Sequence, residues 1–253
     1  MNNPSFYQTT REDNHYHPAL RRLPFFLSTG EMAYCSLLEF DEAYFDVTLF
    51  QLCQIAYPAA IKQSVQKRQA EYFYGRLAAR HALAPFGLDD EEIHSGPLRE
   101  PQWPSKVVGS ISHNSRYAGA VVLPSKTCGG IGIDIETVID HTLRDSIISI
   151  ALNHHEVDNL RIWSKEIPME QLLTIVFSCK ESFYKAAFPS VKEVFDFSAV
   201  EICVIDSENR TLQLRVLTSL CPTLPRGIIR TARFSMIDIR TVFTSCDWPS
   251  IIP

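Results

Sequence analysis

The chain has 253 residues, of which 45% are hydrophobic and 21% are charged, so it can bury a full core as one large globular domain or two small ones. Its net charge of −5, from 24 basic and 29 acidic residues, does not indicate general nucleic-acid binding, and an anionic ligand would need a local basic patch. Seven scattered cysteines with no C-x-x-C argue against zinc or disulfide frameworks and predict a cytoplasmic location.

The first half of the chain is predicted to contain a long helix followed by strands. Residues 1–30 are polar, interrupted by prolines and without the apolar core of a signal peptide, so we expect an irregular leader. Strand character follows at 31–40, and a helix is expected from about Ile61 to Leu83, ended by Pro85 and Gly87. A proline-rich loop at 96–104 leads into strand-like runs at 109–123 and 131–138.

The second half repeats this plan. Short helices are expected within 144–163, and a longer helix from about Met169 to Phe188, bounded by Pro168 and Pro189. Runs rich in β-branched residues then predict strands at 199–205, 211–217, 228–239 and 241–244. No internal repeat is obvious, and no run of about 18 apolar residues could span a membrane. The order of the predicted helices and strands favours an α+β fold of two similar lobes, residues 31–125 and 126–253, joined near the turn 124–127.

A strand with two carboxylates is the first candidate site. Residues two apart on a strand face the same side, so Asp134 and Glu136 project together from a run that is otherwise apolar. An Asp-x-Glu strand is often simply a solvated face. Carboxylates in a buried element need a partner, however, and Mg²⁺ is one that accepts such oxygen ligands.

A helical segment supplies the second cluster. Glu181 and Lys185 are four residues apart and share a face, although such a pair, like the neighbouring Lys180, is often only a solvated feature of a helix surface. If the helix meets the end of the acidic strand, three carboxylates and a lysine converge. That combination could hold a divalent cation beside a phosphate.

Two further segments could bind phosphate. Ser112 and His113 end a strand-like run, and hydroxyl and imidazole groups there can contact phosphate oxygens. The predicted first-half helix carries basic residues at helical spacing, which could form an anion platform or simply a solvated face: Lys67, Arg68, Arg76 and Arg80.

Together these segments resemble the 4′-phosphopantetheinyl transferase superfamily, in particular the group typified by the enterobactin synthetase component D. The resemblance rests on Gly132-Ile-Asp-Ile-Glu136 and Phe177-Ser-Cys-Lys-Glu-Ser-Phe-Tyr-Lys185. Arg99-Glu-Pro-Gln-Trp-Pro104 followed by Gly109-Ser-Ile-Ser-His113, and the Glu71…Gly75-Arg76 pattern, add to it. The loop after Pro104 departs from many relatives, which have a small residue where this chain has Ser105-Lys-Val-Val108.

The resemblance implies a pseudo-dimer of two lobes with coenzyme A and Mg²⁺ in the cleft between them. It implies Asp134, Glu136 and Glu181 as metal ligands, Lys185 at the pyrophosphate, and Glu181 as the best candidate for the base. Contacts to the nucleotide and its phosphates are implied for a second set: Lys67 or Arg68, Arg76, Arg80, Arg99, Ser112 and His113.

The implied reaction moves the phosphopantetheine arm of coenzyme A to a serine of an acyl or peptidyl carrier protein, in siderophore assembly by the subgroup. The implied enzyme is a cytoplasmic monomer without nucleic-acid or integral membrane partners. Two alternatives remain open, namely a magnesium-dependent phosphohydrolase or nuclease that uses the same carboxylates, and a non-catalytic module that binds coenzyme A or carrier protein.

Overall fold

A computed structural model describes residues 18–250 and contains two main antiparallel sheets. The first sheet has the order β1-β2-β6-β5, with strands Ala19–Phe26 (β1), Met32–Glu39 (β2), Val107–His113 (β5) and Tyr117–Pro124 (β6). The second has the order β7-β11-β10-β9-β8, with strands Cys128–Thr137 (β7), Val200–Asp206 (β8), Thr211–Val216 (β9), Ile229–Asp238 (β10) and Thr241–Pro249 (β11). A small hairpin joins His94–Ser95 (β3) and Pro101–Gln102 (β4).

Each main sheet carries one long helix. The helices are Thr48–Leu52 (α1), Ala59–Lys62 (α2), Gln66–Leu83 (α3), Arg144–Ala151 (α4), His154–Trp163 (α5) and Met169–Val191 (α6). Helix α3 packs on β2, β5 and β6, whereas α6 packs on β7, β10 and β11. The expectation of mixed helices and sheets is confirmed. Within residues 18–250, no helix combines the length and apolar character that crossing a membrane requires.

The structure differs from the sequence-based expectation at the amino-terminal end. Part of the predicted irregular leader forms β1, which pairs antiparallel with β2 from Ala19↔Glu39 to Phe26↔Met32. Residues 1–17 of that leader lie outside the described residues. Pro24 is tolerated within β1 because β1 is an edge strand of its sheet, a position where proline is accepted.

Three element boundaries also differ. The helix expected from Ile61 starts at Gln66 instead, because the chain breaks after the short α2. Helix α6 continues two residues beyond Pro189 to Val191 and is followed by Lys192, whose φ of 59° is left-handed. Strand β11 extends to Pro249 because it is paired on both sides, so its polar Ser245 and Asp247 are buried in the sheet rather than ending it.

The two sheets are joined by serine side chains as well as by apolar packing. Strands β5 and β7 are edge strands of different sheets, and they contact one another. The hydroxyl oxygen of Ser110 accepts the backbone N–H of Ile133 at 3.0 Å, and that of Ser112 accepts the N–H of Ile135 at 3.1 Å. These bonds satisfy donors on the open edge of β7 that would otherwise be buried without a partner.

A glycine lets α6 lie directly on β7. A Cβ added at Gly132 would be 1.9 Å from the backbone oxygen of Ser182 and 2.6 Å from the backbone nitrogen of Ala186. Only a residue without a side chain fits there, since both groups belong to the helix backbone. The close approach brings Glu181 and Lys185 of α6 over the strand that carries Asp134.

Candidate active site

A cavity of about 1080 Å³ opens along the line where the two sheets meet. Its walls come from α2 and α3, from the loop between β3 and β4, and from β5, β7 and α6. Most of the residues singled out from the sequence line it, namely Arg68, Arg76, Arg99, Ser112, His113, Asp134, Glu136, Glu181 and Lys185. Lys67 and Arg80 are not among its lining residues.

Asp134 lies at the inner end of the cavity and is only 3% exposed. Its Oδ1 accepts a hydrogen bond from the Lys185 ammonium at 2.6 Å and one from the Ser112 hydroxyl at 2.9 Å. Its Oδ2 accepts the Ser178 hydroxyl at 2.8 Å. Three donors from two elements, α6 and β5, therefore hold this carboxylate, as a buried charge requires.

Glu136 and Glu181 surround Asp134 with further negative charge. Burial, followed by the charge of Asp134, raises the pKa of Glu136 to about 7, although Lys185 opposes the shift. Burial also raises the pKa of Glu181, with Lys185 opposing and Asp134 adding to the effect. The single ammonium of Lys185 thus fails to offset the cost of keeping this group of carboxylates charged.

The chemistry of these residues fits a hard divalent cation. Three carboxylates supply the oxygen ligands that Mg²⁺ prefers, and a cation would relieve the effects that raise the pKa values of Glu136 and Glu181. Within residues 18–250, no three His, Cys, Asp or Glu side chains are arranged so that they could already hold a metal ion. Binding of a metal ion would therefore require some of these side chains to move.

The two lysines of α6 have different surroundings. Lys185 contacts Asp134 and forms no ion pair with Glu181, with which it shares a face of the helix. Lys180, which could have been solvated, is fully buried, and its ammonium donates to Glu156 at 2.8 Å and to the carbonyls of Ala151 and Val200. Lys180 therefore ties α6 to neighbouring elements, whereas Lys185 faces the cavity.

His113 sits between two charged side chains of α3. Its Nε2 is 3.0 Å from Nη1 of Arg68, and its Nδ1 is 3.7 Å from a carboxylate oxygen of Glu71. Burial, and then the positive charges of Arg68 and Lys185, lowers the pKa of His113 to about 4. Because the ring is neutral at pH 7, its Nε2 can accept a hydrogen bond from the Arg68 guanidinium.

The basic residues of α3 do not act as one platform. Arg68 and Arg76 reach the cavity, and Arg76 donates to the Ser95 hydroxyl at 2.9 Å while stacking over Tyr72. Arg80 instead donates to the backbone carbonyls of Cys53 and Gln54, beside a small separate pocket. Lys67 is exposed. Helical spacing alone could not separate these orientations, since each depends on the loop that covers the helix.

Arg99 reaches the cavity from the loop between β3 and β4. Its φ of 69° is left-handed, a conformation that costs a non-glycine residue on the order of 1 kcal/mol or more. Its side chain has no hydrogen bond or ion pair to any residue within 18–250, and it remains exposed at the cavity. The guanidinium is therefore free to bind an anion.

Three site residues were missed by the sequence reasoning. Ser178 and Thr244 lie behind Asp134, and Glu71 stands beside His113. Ser178 could have been found by helical spacing, because it lies three residues before Glu181 and seven before Lys185. Thr244 has no such signal, because its position depends on the pairing of β11 with β7.

Fold and site together define an α+β protein whose cavity combines carboxylates, lysine and arginine, as in enzymes that transfer phosphate-containing groups. Two family descriptions match the chain, "4′-phosphopantetheinyl transferase N-terminal domain" over residues 56–123 and "4′-phosphopantetheinyl transferase superfamily" over residues 130–226. The chain belongs to the 4′-phosphopantetheinyl transferase superfamily, and the resemblance read from its motifs is confirmed.

Individual relatives agree with this assignment. Enterobactin synthase component D of Escherichia coli (strain K12) is 36% identical over 154 residues, which cover 59% of this chain and 68% of the relative. The protein of the same name from Salmonella austin is 28% identical over 218 residues, covering 84% and 87%. The 4′-phosphopantetheinyl transferase PptT of Mycobacterium tuberculosis is 34% identical over 144 residues, covering 56% and 61%.

Proposed function

We propose that this protein transfers the 4′-phosphopantetheine arm of coenzyme A to a serine of an acyl or peptidyl carrier protein and releases 3′,5′-ADP. Membership of the superfamily supports the reaction class. The names of the relatives favour a role in siderophore assembly of the enterobactin type. The observation that carries the site assignment is the contact of Lys185 with Asp134 at the inner end of the cavity, with Glu136 and Glu181 beside it.

In the proposed reaction the carrier serine oxygen attacks the β-phosphorus of coenzyme A. A new P–O bond forms to the serine, the P–O bond to the 3′,5′-ADP leaving group breaks, and the serine proton must be accepted. Glu181 is the proposed base because it lines the cavity and burial raises its pKa, which brings a carboxylate closer to the basicity that proton transfer needs.

Lys185 is proposed to stabilise the charge that collects on the leaving phosphate. Its side chain lines the cavity and is 27% exposed, so it can bind a phosphate oxygen without leaving the site. Positioning and charge neutralisation supply most of the rate enhancement in phosphoryl transfer, since the protein has little covalent chemistry to perform.

Asp134, Glu136 and Glu181 are proposed to hold a Mg²⁺ ion. When bound, the ion would neutralise the pyrophosphate of coenzyme A and help to orient it. The support is that burial, and then the charges of the neighbouring carboxylates, raises the pKa of Glu136 to about 7. The remaining oxygens around such an ion would come from water and phosphate.

The nucleotide end of coenzyme A is proposed to bind along α3 and the end of β5. Arg68, Arg76 and His113 line that part of the cavity, and Arg99 faces it from the opposite loop. Ser112 also lines it, but its hydroxyl proton is directed at Asp134. The roles predicted for Lys67 and Arg80 remain predictions, with less support because neither lines the cavity.

We also propose that the two helix-and-sheet halves, residues 31–125 and 126–253, are the lobes of a pseudo-dimer. The support is that α3 and α6 each pack on one antiparallel sheet, the first of which also includes β1 from the residues before 31. A monomer in a reducing cytoplasm is the proposed working state, and the absence of a bond between any of the seven cysteines is compatible with it.

The experiment that tests the function is incubation with coenzyme A, Mg²⁺ and a panel of apo carrier proteins. Mass spectrometry would identify the phosphopantetheine adduct and the carriers that accept it. We expect adduct with the wild-type chain and none with Asp134→Ala or Glu181→Gln. The matched control is Glu208→Gln, which changes an exposed glutamate in the turn between β8 and β9.

The alternatives give different products. A phosphohydrolase would release free phosphopantetheine without any carrier protein, and a non-catalytic module would bind coenzyme A and release nothing. Near-wild-type transfer by folded Glu181→Gln would remove Glu181 from both its metal-binding and its base roles.

A further inference from the structure

Asp134 is held from behind as well as from the cavity side. Its Oδ1 meets Lys185 and Ser112, as described above, while its Oδ2 points into the interior toward Ser178. Ser178 and Thr244 are both fully buried, and neither lines the cavity. No catalytic or ligand-binding contact therefore explains why two hydroxyls lie at this position.

The arrangement follows from strand register and from helix packing. Thr244 of β11 is the direct cross-strand partner of Asp134 on β7. Ser178 of α6 lies over this pair, with its Oγ 2.9 Å from Oγ1 of Thr244 and 2.8 Å from Oδ2 of Asp134. Side chains of three elements, β7, α6 and β11, are thus linked in series behind the carboxylate.

The protons of the two hydroxyls can be assigned by counting. Ser178 has one hydroxyl proton and donates it to Oδ2 of Asp134, so Thr244 must be the donor in the contact between the two hydroxyls. The single proton of Thr244 is therefore shared between Oγ of Ser178 and the Ser178 carbonyl, 2.9 Å away. The chain of donors runs in one direction, from Thr244 through Ser178 to Asp134.

We propose that Ser178 and Thr244 are positioning residues that fix the rotamer of Asp134, so that Oδ1 faces the cavity where a cation would bind. This inference rests on the proposed function, since it assigns a purpose to the orientation of a proposed metal ligand. Partners that orient a metal ligand typically change metal affinity by about 10- to 100-fold when they are removed. A merely structural role would change stability and leave metal affinity unaltered.

The variants can be matched closely. Ser178→Ala removes the hydroxyl that holds Oδ2, and Ser182→Ala removes an equally buried hydroxyl of the same helix, which donates only to the Cys179 carbonyl. Thr244→Val removes the second hydroxyl at similar shape, while Thr244→Ser retains it.

The measurement is Mn²⁺ binding to the full chain with coenzyme A present, followed by electron paramagnetic resonance, together with thermal unfolding of each variant. We expect Ser178→Ala to weaken Mn²⁺ binding about 10- to 100-fold. Thr244→Val should have a smaller effect, whereas Thr244→Ser and Ser182→Ala should stay within about twofold of wild type. Equal Mn²⁺ binding by Ser178→Ala and Ser182→Ala would overturn the proposal.

A crystal structure of Ser178→Ala gives a second readout that does not need metal. We expect the Asp134 carboxylate to rotate away from the Oδ1 contacts with Lys185 and Ser112, and an unchanged rotamer would overturn the proposal. If the wild type binds Mn²⁺ but transfers nothing, the proposed function fails while the positioning role stands on the binding data. If the wild type binds no Mn²⁺, the metal assignment fails. The Asp134 rotamer in the Ser178→Ala crystal structure then decides whether Ser178 positions the carboxylate.

Discussion

The ammonium of Lys185 lies 2.6 Å from Oδ1 of Asp134, on a strand 51 residues earlier in the chain. Its neighbour one helical turn away, Glu181, does not form an ion pair with it. The contact joins α6 to β7 at the cavity, so one side chain both balances a buried carboxylate and faces the space where a substrate phosphate would lie.

Replacing Lys185 should therefore impair transfer more than stability. We expect Lys185→Met to lower kcat/KM for carrier modification by about 10²- to 10³-fold, the usual effect of removing a group that stabilises transition-state charge. The rate of adduct formation under saturating Mg²⁺ would be measured. Lys165→Met, in the exposed turn after α5, is the control and should stay near wild type. A wild-type rate in folded Lys185→Met would remove Lys185 from the phosphate.

Metal removal should abolish the reaction. Treatment with EDTA should stop adduct formation, and added Mg²⁺ should restore it, because uncompensated carboxylates beside a pyrophosphate would repel the substrate. Glu136→Gln should raise the Mg²⁺ concentration needed for half-maximal rate by at least about tenfold. The Mg²⁺ dependence of the rate measures both effects. Transfer that is insensitive to EDTA would contradict the assignment of the carboxylates to a metal.

The contact between α6 and β7 should be intolerant of a single methyl group. Gly132→Ala places a Cβ 1.9 Å from a helix carbonyl, so the helix must shift, and we expect a loss of at least about 3 kcal/mol in the free energy of unfolding. Urea denaturation measures this loss of stability. Gly75→Ala is the control, because its Cβ would meet side chains rather than backbone, Ile111 at 3.1 Å and His113 at 3.9 Å, while the helix gains about 1 kcal/mol of propensity. Similar stabilities of Gly132→Ala and Gly75→Ala would show that α6 can move away from β7 at little cost.

The elements that carry the site could be predicted because they have strong local signals. The apolar residues around Asp134 indicate a strand, and the spacing of Glu181 and Lys185 indicates a helix face. The family motifs reinforce both. Convergence of the two clusters on one cavity agrees with the predicted geometry, because same-face spacing already limits where these side chains can point.

The partners of individual charges could not be predicted, because they depend on tertiary packing. A lysine beside Glu181 gives no sign that it will be fully buried, yet Lys180 meets Glu156 of α5. The orientation of Arg80 likewise depends on the loop carbonyls of Cys53 and Gln54. Such contacts join residues far apart in sequence, and periodicity carries no information about them.

His113 should make the stability of the protein depend on pH. Burial and Arg68 lower its pKa to about 4, below its unfolded value of about 6.5, so the unfolded chain binds more protons between these values. Stability therefore rises with pH from about 4 to 6.5 and is lost as the pH falls through that range.

The His113→Asn variant isolates this contribution from that of other titrating groups. Between pH 6.5 and 4.5 its free energy of unfolding should fall by about 1–2 kcal/mol less than that of the wild type. Denaturant titrations at each pH measure the difference, and His94→Asn, an exposed histidine on β3, is the control. Parallel pH profiles for His113→Asn and wild type would show that the ring titrates normally in the folded protein.

The buried pair of Lys180 and Glu156 should matter for stability. Both side chains are 0% exposed, and Glu156 also accepts the backbone N–H groups of Asn153 and Ile202. Lys180→Met leaves this carboxylate buried without its counter-charge, so we expect a loss of about 3–5 kcal/mol in the free energy of unfolding. Glu156→Gln keeps an oxygen acceptor and removes the charge, and it should cost less stability, because Lys180 still donates to the carbonyls of Ala151 and Val200.

Urea denaturation measures the free energy of unfolding of both variants, and Lys165→Met is again the control for the loss of a lysine. Equal stability of Lys180→Met and Lys165→Met would mean that Glu156 takes up a proton or reaches water in the variant, and the pH dependence of Lys180→Met, with stability gained toward acid, would identify proton uptake.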